Sequence, residues 1–274
     1  MMNTSIKTFQ FLILFGVISC SNSEKKSNSK VIEDTYRPTL SSKKITEYLD
    51  FAYKGKTWDL LDNIFVEWHQ NVGSNSVEFI NQNDTISAIF EIFNTFYKPN
   101  EFLKFGSWEH PNTVKSKYIV IQNTILYSIL KSKNIDKVNG INSRRTLLSN
   151  FRPPISSGNN NILYLTEEYA ESFNIFLRPE AKPAGEIEEG EPSGYRVKSQ
   201  RKAELLKSYI PVNYDYLEHY WHLETHPYIN VIFFNKSLTK AKIDFYVGQL
   251  GGEAILEKKE NGWFIKQIKS NLED

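Results

Sequence analysis

Apolar side chains recur at helical spacing through the first part of the chain after residue 40. Ile45, Tyr48, Leu49 and Ala52 follow the i, i+3, i+4, i+7 rule behind Ser41 or Ser42, either of which can cap a helix. A second stripe, Leu60, Leu61, Ile64, Phe65 and Trp68, predicts a helix starting at Thr57 and stopping near Gly73. Asp84 caps a third, where Ile86, Ile89, Phe90, Ile92, Phe93, Phe96 and Tyr97 wrap most of the circumference before Pro99. Apolar coverage that wide predicts a helix buried on nearly every side.

The spacing then changes. Tyr118-Ile119-Val120-Ile121 and Ile125-Leu126-Tyr127-Ser128-Ile129-Leu130 are β-branched and aromatic, so they read as strand with a turn or bulge at Gln122-Asn123. Arg144, Arg145 and Arg152 lead into Pro153-Pro154 and a polar, turn-forming stretch through Asn161, the best internal boundary. Three such arginines suit an anion, but scattered surface positions explain them first. Ile162 to Leu165 reads as a short strand, and Thr166 caps a helix carrying Glu167 and Glu168 in its first turn and Tyr169, Phe173, Phe176 and Leu177 on its buried face. Residues 180–194 collect Glu180, Glu186, Glu188, Glu189 and Glu191 among glycines and prolines, without the alternating ligand register of a calcium loop. They read as a solvated acidic loop.

Ser199 opens another helix, closed by Pro211. Beyond it, runs near 217–225, 228–235, 240–248, 252–258 and 262–268 are separated by turn residues and predict an antiparallel meander. Ala241, Ile243, Phe245 and Val247 alternate with Lys242, Asp244 and Tyr246, and Asn261-Gly262 is a two-residue hairpin signal. The fold class is therefore α+β, with N-terminal helices and a C-terminal meander packed on helices. The expected division is a leader over 1–19, a tether over 20–40, a helical or mixed region over 41–155 and an α+β domain over 160–272. Gly251-Gly252-Glu-Ala-Ile-Leu-Glu-Lys-Lys-Glu-Asn261-Gly262-Trp263-Phe-Ile resembles the tail of NTF2-like domains over about residues 199–270. That resemblance implies an NTF2-like or cystatin-like cone, with a pocket between sheet and helices used for binding, for dimerisation or, in some members, for catalysis.

The first twenty residues carry an address. Lys7 precedes Phe9, Phe11, Leu12, Ile13, Leu14, Phe15, Val17 and Ile18, an apolar run about half the roughly 20 residues a membrane-spanning helix needs. Val17-Ile18-Ser19-Cys20 resembles the lipobox of bacterial lipoproteins, and Cys20 is the single cysteine of the 274-residue chain. The resemblance implies a diacylglycerol thioether on Cys20, cleavage before it, fatty acyl chains such as palmitate, and a bacterial envelope protein held to the lipid bilayer. The expected address is the outer membrane, facing periplasm or cell surface. Ser21 to Lys30 holds no apolar side chain and reads as a spacer.

Charge narrows the classes further. The chain carries 33 Lys or Arg against 32 Asp or Glu, and removing the leader takes Lys7 and no acid, leaving the two signs equal in number. A nucleic-acid partner resting on a basic face is not expected, and acyl chains rather than charge must anchor the protein. A lone cysteine at the lipobox excludes a disulfide within the chain and a cysteine nucleophile in its mature form.

The candidate chemistry sits in Glu218-His219-Tyr220-Trp221-His222-Leu223-Glu224-Thr225-His226, which holds three of the five histidines. On a strand, His222, Glu224 and His226 point one way, a set of imidazoles and a carboxylate able to bind zinc, while Trp221 and Leu223 face a core. Gly-x-Ser-x-Gly, His-Glu-x-x-His and phosphate-cradling glycine loops are absent from the sequence. The sequence therefore points to a non-catalytic binding module for an envelope protein or a small-molecule ligand. The alternative is a metal-assisted hydrolase on His222, Glu224 and His226.

Overall fold

In the computed structural model the described residues are 40–97, 116–131, 135, 143–155, 161–178, 194–215, 220–223, 225, 227–247 and 250–270. Helix α1 (Ser42–Gly55) follows the N-cap Ser41, buries Ile45, Leu49 and Ala52, and ends where Lys56 takes the left-handed conformation at φ 51°. Helix α2 (Trp58–Asn71) follows Thr57 and buries Leu61, Ile64, Phe65 and Trp68. A short helix α3 (Val77–Ile80) is capped by Ser76, whose hydroxyl accepts from the Phe79 N–H. Helix α4 (Asp84–Phe96) is capped by Asn83 rather than Asp84; the Asn83 Oδ1 accepts from the Ile86 N–H at 2.9 Å. Asp84 lies in the first turn instead, where a carboxylate suits the helix dipole. The broad apolar face of α4 buries Ile86, Ala88, Ile89, Phe90, Ile92, Phe93 and Phe96.

Strand β1 (Tyr118–Gln122) and strand β2 (Ile125–Leu130) do not pair as a hairpin. β1 pairs in parallel with β4 (Asn161–Leu165), whereas β2 joins β3 (Thr146–Leu148) and β7 (Tyr228–Asn235) in a different sheet. The chain turns this corner at Gln122. Its side-chain amide donates to Ile229 O at 2.9 Å and accepts from Ile229 N at 2.6 Å, so one side chain replaces a backbone partner for β7. The same nitrogen reaches Thr124 O at 2.7 Å. Helix α5 (Glu167–Leu177) follows β4 directly, and helix α6 (Gly194–Leu206) leads to the two-stranded antiparallel sheet of β5 (Val212–Asp215) and β6 (Tyr220–Leu223).

The meander is β7, β8 (Lys240–Val247), β9 (Leu250–Lys259) and β10 (Gly262–Ser270), giving the six-stranded order β10-β9-β8-β7-β2-β3. All its pairs are antiparallel except β2 with β7. The fold is thus α+β. Residues Ile32–Asp274 form one compact unit, and this sheet draws strands from both sides of residue 155. The β9–β10 hairpin forms, with Glu260 and Asn261 between the paired Lys259 and Gly262, so the turn lies one residue before the Asn261-Gly262 pair that signals it. Gly262 itself takes φ +107°, a backbone conformation that favours glycine.

Aromatic packing ties helices to sheets. The Trp68 indole stacks on Tyr169 at 4.2 Å and donates to Tyr164 O at 3.0 Å, while Phe65 stacks on Tyr209 at 4.8 Å. On the larger sheet, Phe96 of α4 meets Phe245 at 4.9 Å. Phe245 lies beside its cross-strand partner Gly252, where an added Cβ would stand 2.5 Å from the ring and 2.9 Å from Lys269 O.

The opposite face of that sheet departs from the expected polar row. Phe233, Lys242 and Ile255 share a cross-strand row, as do Val231, Asp244 and Glu253, and Lys242 is only 4 % exposed. Its ammonium donates to Glu253 and lies 3.6 Å from Asp244 Oδ1, so the charge is paired as a buried charge must be. Arg152 is likewise 6 % exposed and not a surface arginine; its backbone pairs with Asn75, which donates to Arg152 O and accepts from Arg152 N. Arg144 and Arg145 are exposed, as expected.

Candidate functional site: a cavity at the start of α5

A cavity of about 470 Å³ opens where four parts of the chain converge. Its walls are the β1–β2 corner (Gln122 to Thr124), the end of β3 (Leu147, Ser149, Asn150), the start of α5 (Leu165 to Glu168, with Ala170), and Thr225 with Tyr228. The volume falls within the range of small-molecule sites. Leu147 and Tyr228, 56 % and 41 % exposed, supply apolar surface at its edge.

The lining is held from outside. Asn150 adopts φ 54°, and its carbonyl accepts from Asn75 Nδ2 at 3.0 Å. The next residue, Phe151, donates its N–H to Asn123 O at 2.8 Å and packs its ring against Phe90 and Phe93, each at 4.9 Å. The corner at Asn123 and the loop at Asn150 are therefore braced by buried groups.

Two buried polar atoms on the lining residues lack partners among the described residues: Thr166 Oγ1 and Asn123 Oδ1. Thr166 is 3 % exposed and occupies the N-cap of α5, yet its hydroxyl makes no cap hydrogen bond. A buried hydroxyl without a partner is costly, and the first-turn N–H groups above it have no side-chain cap. Glu167 and Glu168 bring negative charge to the same helix end, and no Lys, Arg or His stands among the described lining residues.

The residues singled out by the sequence stand elsewhere. His222 is half-buried on β6 opposite Asn213, and Leu223 is buried beside it. Trp221 packs on Tyr214 at 5.3 Å under the Lys207 ammonium, 4.6 Å from the indole, so the apolar face of this strand is as expected. Glu224 and His226 lie outside the described residues, as do His219, Cys20 with its lipobox, the spacer at 21–30 and the acidic loop at 180–193. Among the described residues no three His, Cys, Asp or Glu side chains converge to hold a metal ion. Among them, too, no helix is long and apolar enough to cross a membrane.

The sequence marks Thr166 as a cap and Gln122-Asn123 as a turn or bulge, but not the cavity they share. The signal was the turn itself: a polar pair between two apolar strands that leave for different sheets. A second concavity, about 720 Å³ along Lys259 to Phe264, is walled by a single hairpin and collects no buried polar atom without a partner, save the Trp263 indole nitrogen. No protein-family model matches the chain, and neither a curated protein nor a solved structure matches it. The fold and the cavity describe an α+β protein with a lateral concavity at the start of α5.

Proposed function

We propose that the protein is a membrane-anchored lipoprotein of the bacterial envelope that acts as a non-catalytic binding module, with the cavity at the start of α5 as its ligand site. The observation that carries the binding reading is the braced cavity of about 470 Å³ itself, which gathers amide, hydroxyl and apolar side chains from four segments of the chain. Hydroxyl-bearing residues line the cavity at Thr124, Ser149, Thr166 and Thr225, beside the apolar Leu147 and Leu165 and the ring of Tyr228. The anchor follows from the resemblance of Val17 to Cys20 to a lipobox, with acylated Cys20 in the outer membrane and the folded part facing periplasm or exterior.

The test uses the full chain in a detergent without a sugar head group. Small fragments of varied polarity are screened by ligand-observed NMR against the protein and against Ser149→Trp, which places an indole at an exposed lining position. Fragments that bind the parent and not the variant support the cavity as the site. No binding, or binding that Ser149→Trp leaves unchanged, removes it.

A further inference from the structure

Helix α1 carries aromatic side chains that its own packing does not use. Its core stripe is Ile45, Leu49 and Ala52. Lys44, Tyr48 and Phe51 stand at i, i+4 and i+7 along a different face, with Tyr48 and Phe51 41 % and 64 % exposed. The helix ends at Gly55, and Trp58 opens α2 with 53 % of its surface exposed. Large apolar side chains left in water along so short a stretch mark a docking surface.

Charge indicates what it docks on. Over residues 42–59 four lysines stand against three acids. Glu47 lies 4.0 Å from Lys43, and Asp50 lies 3.4 Å from a fifth cation, Lys202 of α6. Lys44, Lys54 and Lys56 are exposed, and no carboxylate pairs with them among the described residues. Asp59 beside Trp58 offsets one of these charges, so the stretch keeps a local positive excess in a chain that is balanced as a whole. Rings with a polar tip, next to lysines whose stems carry their charge outward, suit the boundary between acyl chains and anionic head groups.

Position favours a bilayer over an acidic protein. From Cys20 to Ser42 the chain has 21 intervening residues, a reach of at most about 80 Å, so α1 is the first described helix after the lipobox and meets any membrane that holds Cys20 at high effective concentration.

We propose that the end of α1 and the start of α2 rest on the membrane surface, with Tyr48, Phe51 and Trp58 entering the head-group region and Lys44, Lys54 and Lys56 meeting lipid phosphates. This contact rests on the lipid-anchored reading. The acyl chains hold the protein, and the aromatic surface fixes which way its body faces.

The test weighs the full chain by mass spectrometry for acyl groups and reconstitutes it into phosphatidylcholine vesicles with or without phosphatidylglycerol. Brominated phosphatidylcholine quenches an indole that touches lipid, and the difference between the parent and Trp58→Phe isolates the emission of Trp58. The expected result is quenching of Trp58, stronger when phosphatidylglycerol is present. Phe51→Ser, and separately the triple variant Lys44→Gln/Lys54→Gln/Lys56→Gln, should each lower it about twofold or more. All four positions are exposed, so the unfolding temperature should stay at the parent's value.

An acylated protein whose Trp58 is not quenched by brominated lipid overturns the contact and leaves the anchor standing. Quenching that neither variant lowers also overturns it, because Trp58 then meets lipid without this surface. A mass without acyl groups removes the anchor, and the contact built on it falls too.

Discussion

Single residues decide how closely this fold packs, and Gly252 is the clearest case. The side chain of Phe245 fills the space a Cβ would take, and Phe96 closes over that ring. Gly252→Ala therefore forces the strands or the ring aside, an overpacking cost of about 1–3 kcal/mol. Thermal unfolding of the full chain in detergent should show the drop, whereas Gly73→Ala, where no atom stands within 4 Å of the added Cβ, serves as the matched control. Lys242 is a second case. Its ammonium is the counter-ion of Asp244 and Glu253 on a covered sheet face, and burial already raises the Asp244 carboxyl above its ordinary range against the pull of Lys242. Lys242→Met leaves two carboxylates facing one another without the cation. The loss is about 2 kcal/mol at neutral pH, below the ~3–5 of a fully buried pair because Glu253 is partly solvated. The sign of its pH dependence follows from the raised carboxyl. In the variant the folded state holds protons that the unfolded chain has released, so stability falls as pH rises from about 4 through the raised range. Unfolding midpoints at pH 4 and pH 7 should show the smaller penalty at pH 4.

Elements that declare themselves by periodicity were legible, and those made by tertiary partners were not. Of the two predicted stripes, Ile45, Leu49 and Ala52 and Leu61, Ile64, Phe65 and Trp68 are buried because one side of each helix meets the core, while Tyr48 is exposed and Leu60 only half-buried at the margins. The meander runs at 228–235, 240–248, 252–258 and 262–268 match β7 to β10 within a few residues because turn chemistry punctuates them, whereas the run expected at 217–225 became β6 and paired with β5 in a separate sheet. Lys242 defeats the same logic. Alternation signals two faces but not whether the second is covered, and a lysine paired with Glu253 can be buried on it. β1 and β2 show the other limit, since adjacent apolar runs read as a hairpin unless something says they part. What parts them is Gln122, whose amide pairs with both backbone groups of Ile229. Gln122→Ala leaves that N–H and C=O buried without the side-chain partner, about 1–3 kcal/mol for each group. A lowered unfolding temperature, together with faster amide exchange at Ile229 than at Ile243 in mid-sheet, is the expected outcome. Equal exchange at the two sites would show that the corner is held by other contacts. The cavity was invisible for the same reason as the corner: Asn123, Asn150, Thr166 and Tyr228 come from four separate segments, and no local pattern links them.

At the scale of the whole molecule, the charge balance makes the proposed anchor testable. With the leader removed, basic and acidic side chains are equal in number, so the folded part has no net attraction for an anionic bilayer. On the proposed anchor, membrane residence rests on acyl chains at Cys20, where one chain gives marginal, reversible binding and two or more hold firmly. Cys20→Ala removes the thiol that carries them and leaves every other charge unchanged. Expressed as the full chain in a bacterial host, the parent should sediment with membranes, resist high salt and partition into detergent, and its mass should exceed that of the polypeptide by the acyl groups. The variant should carry no added acyl mass and, wherever its leader is processed, enter the soluble fraction. A parent that washes off in salt, or whose mass shows no acyl addition, refutes the lipid anchor. In that case the Val17 to Cys20 sequence is only the end of an apolar leader, and the cavity serves a protein held by other means.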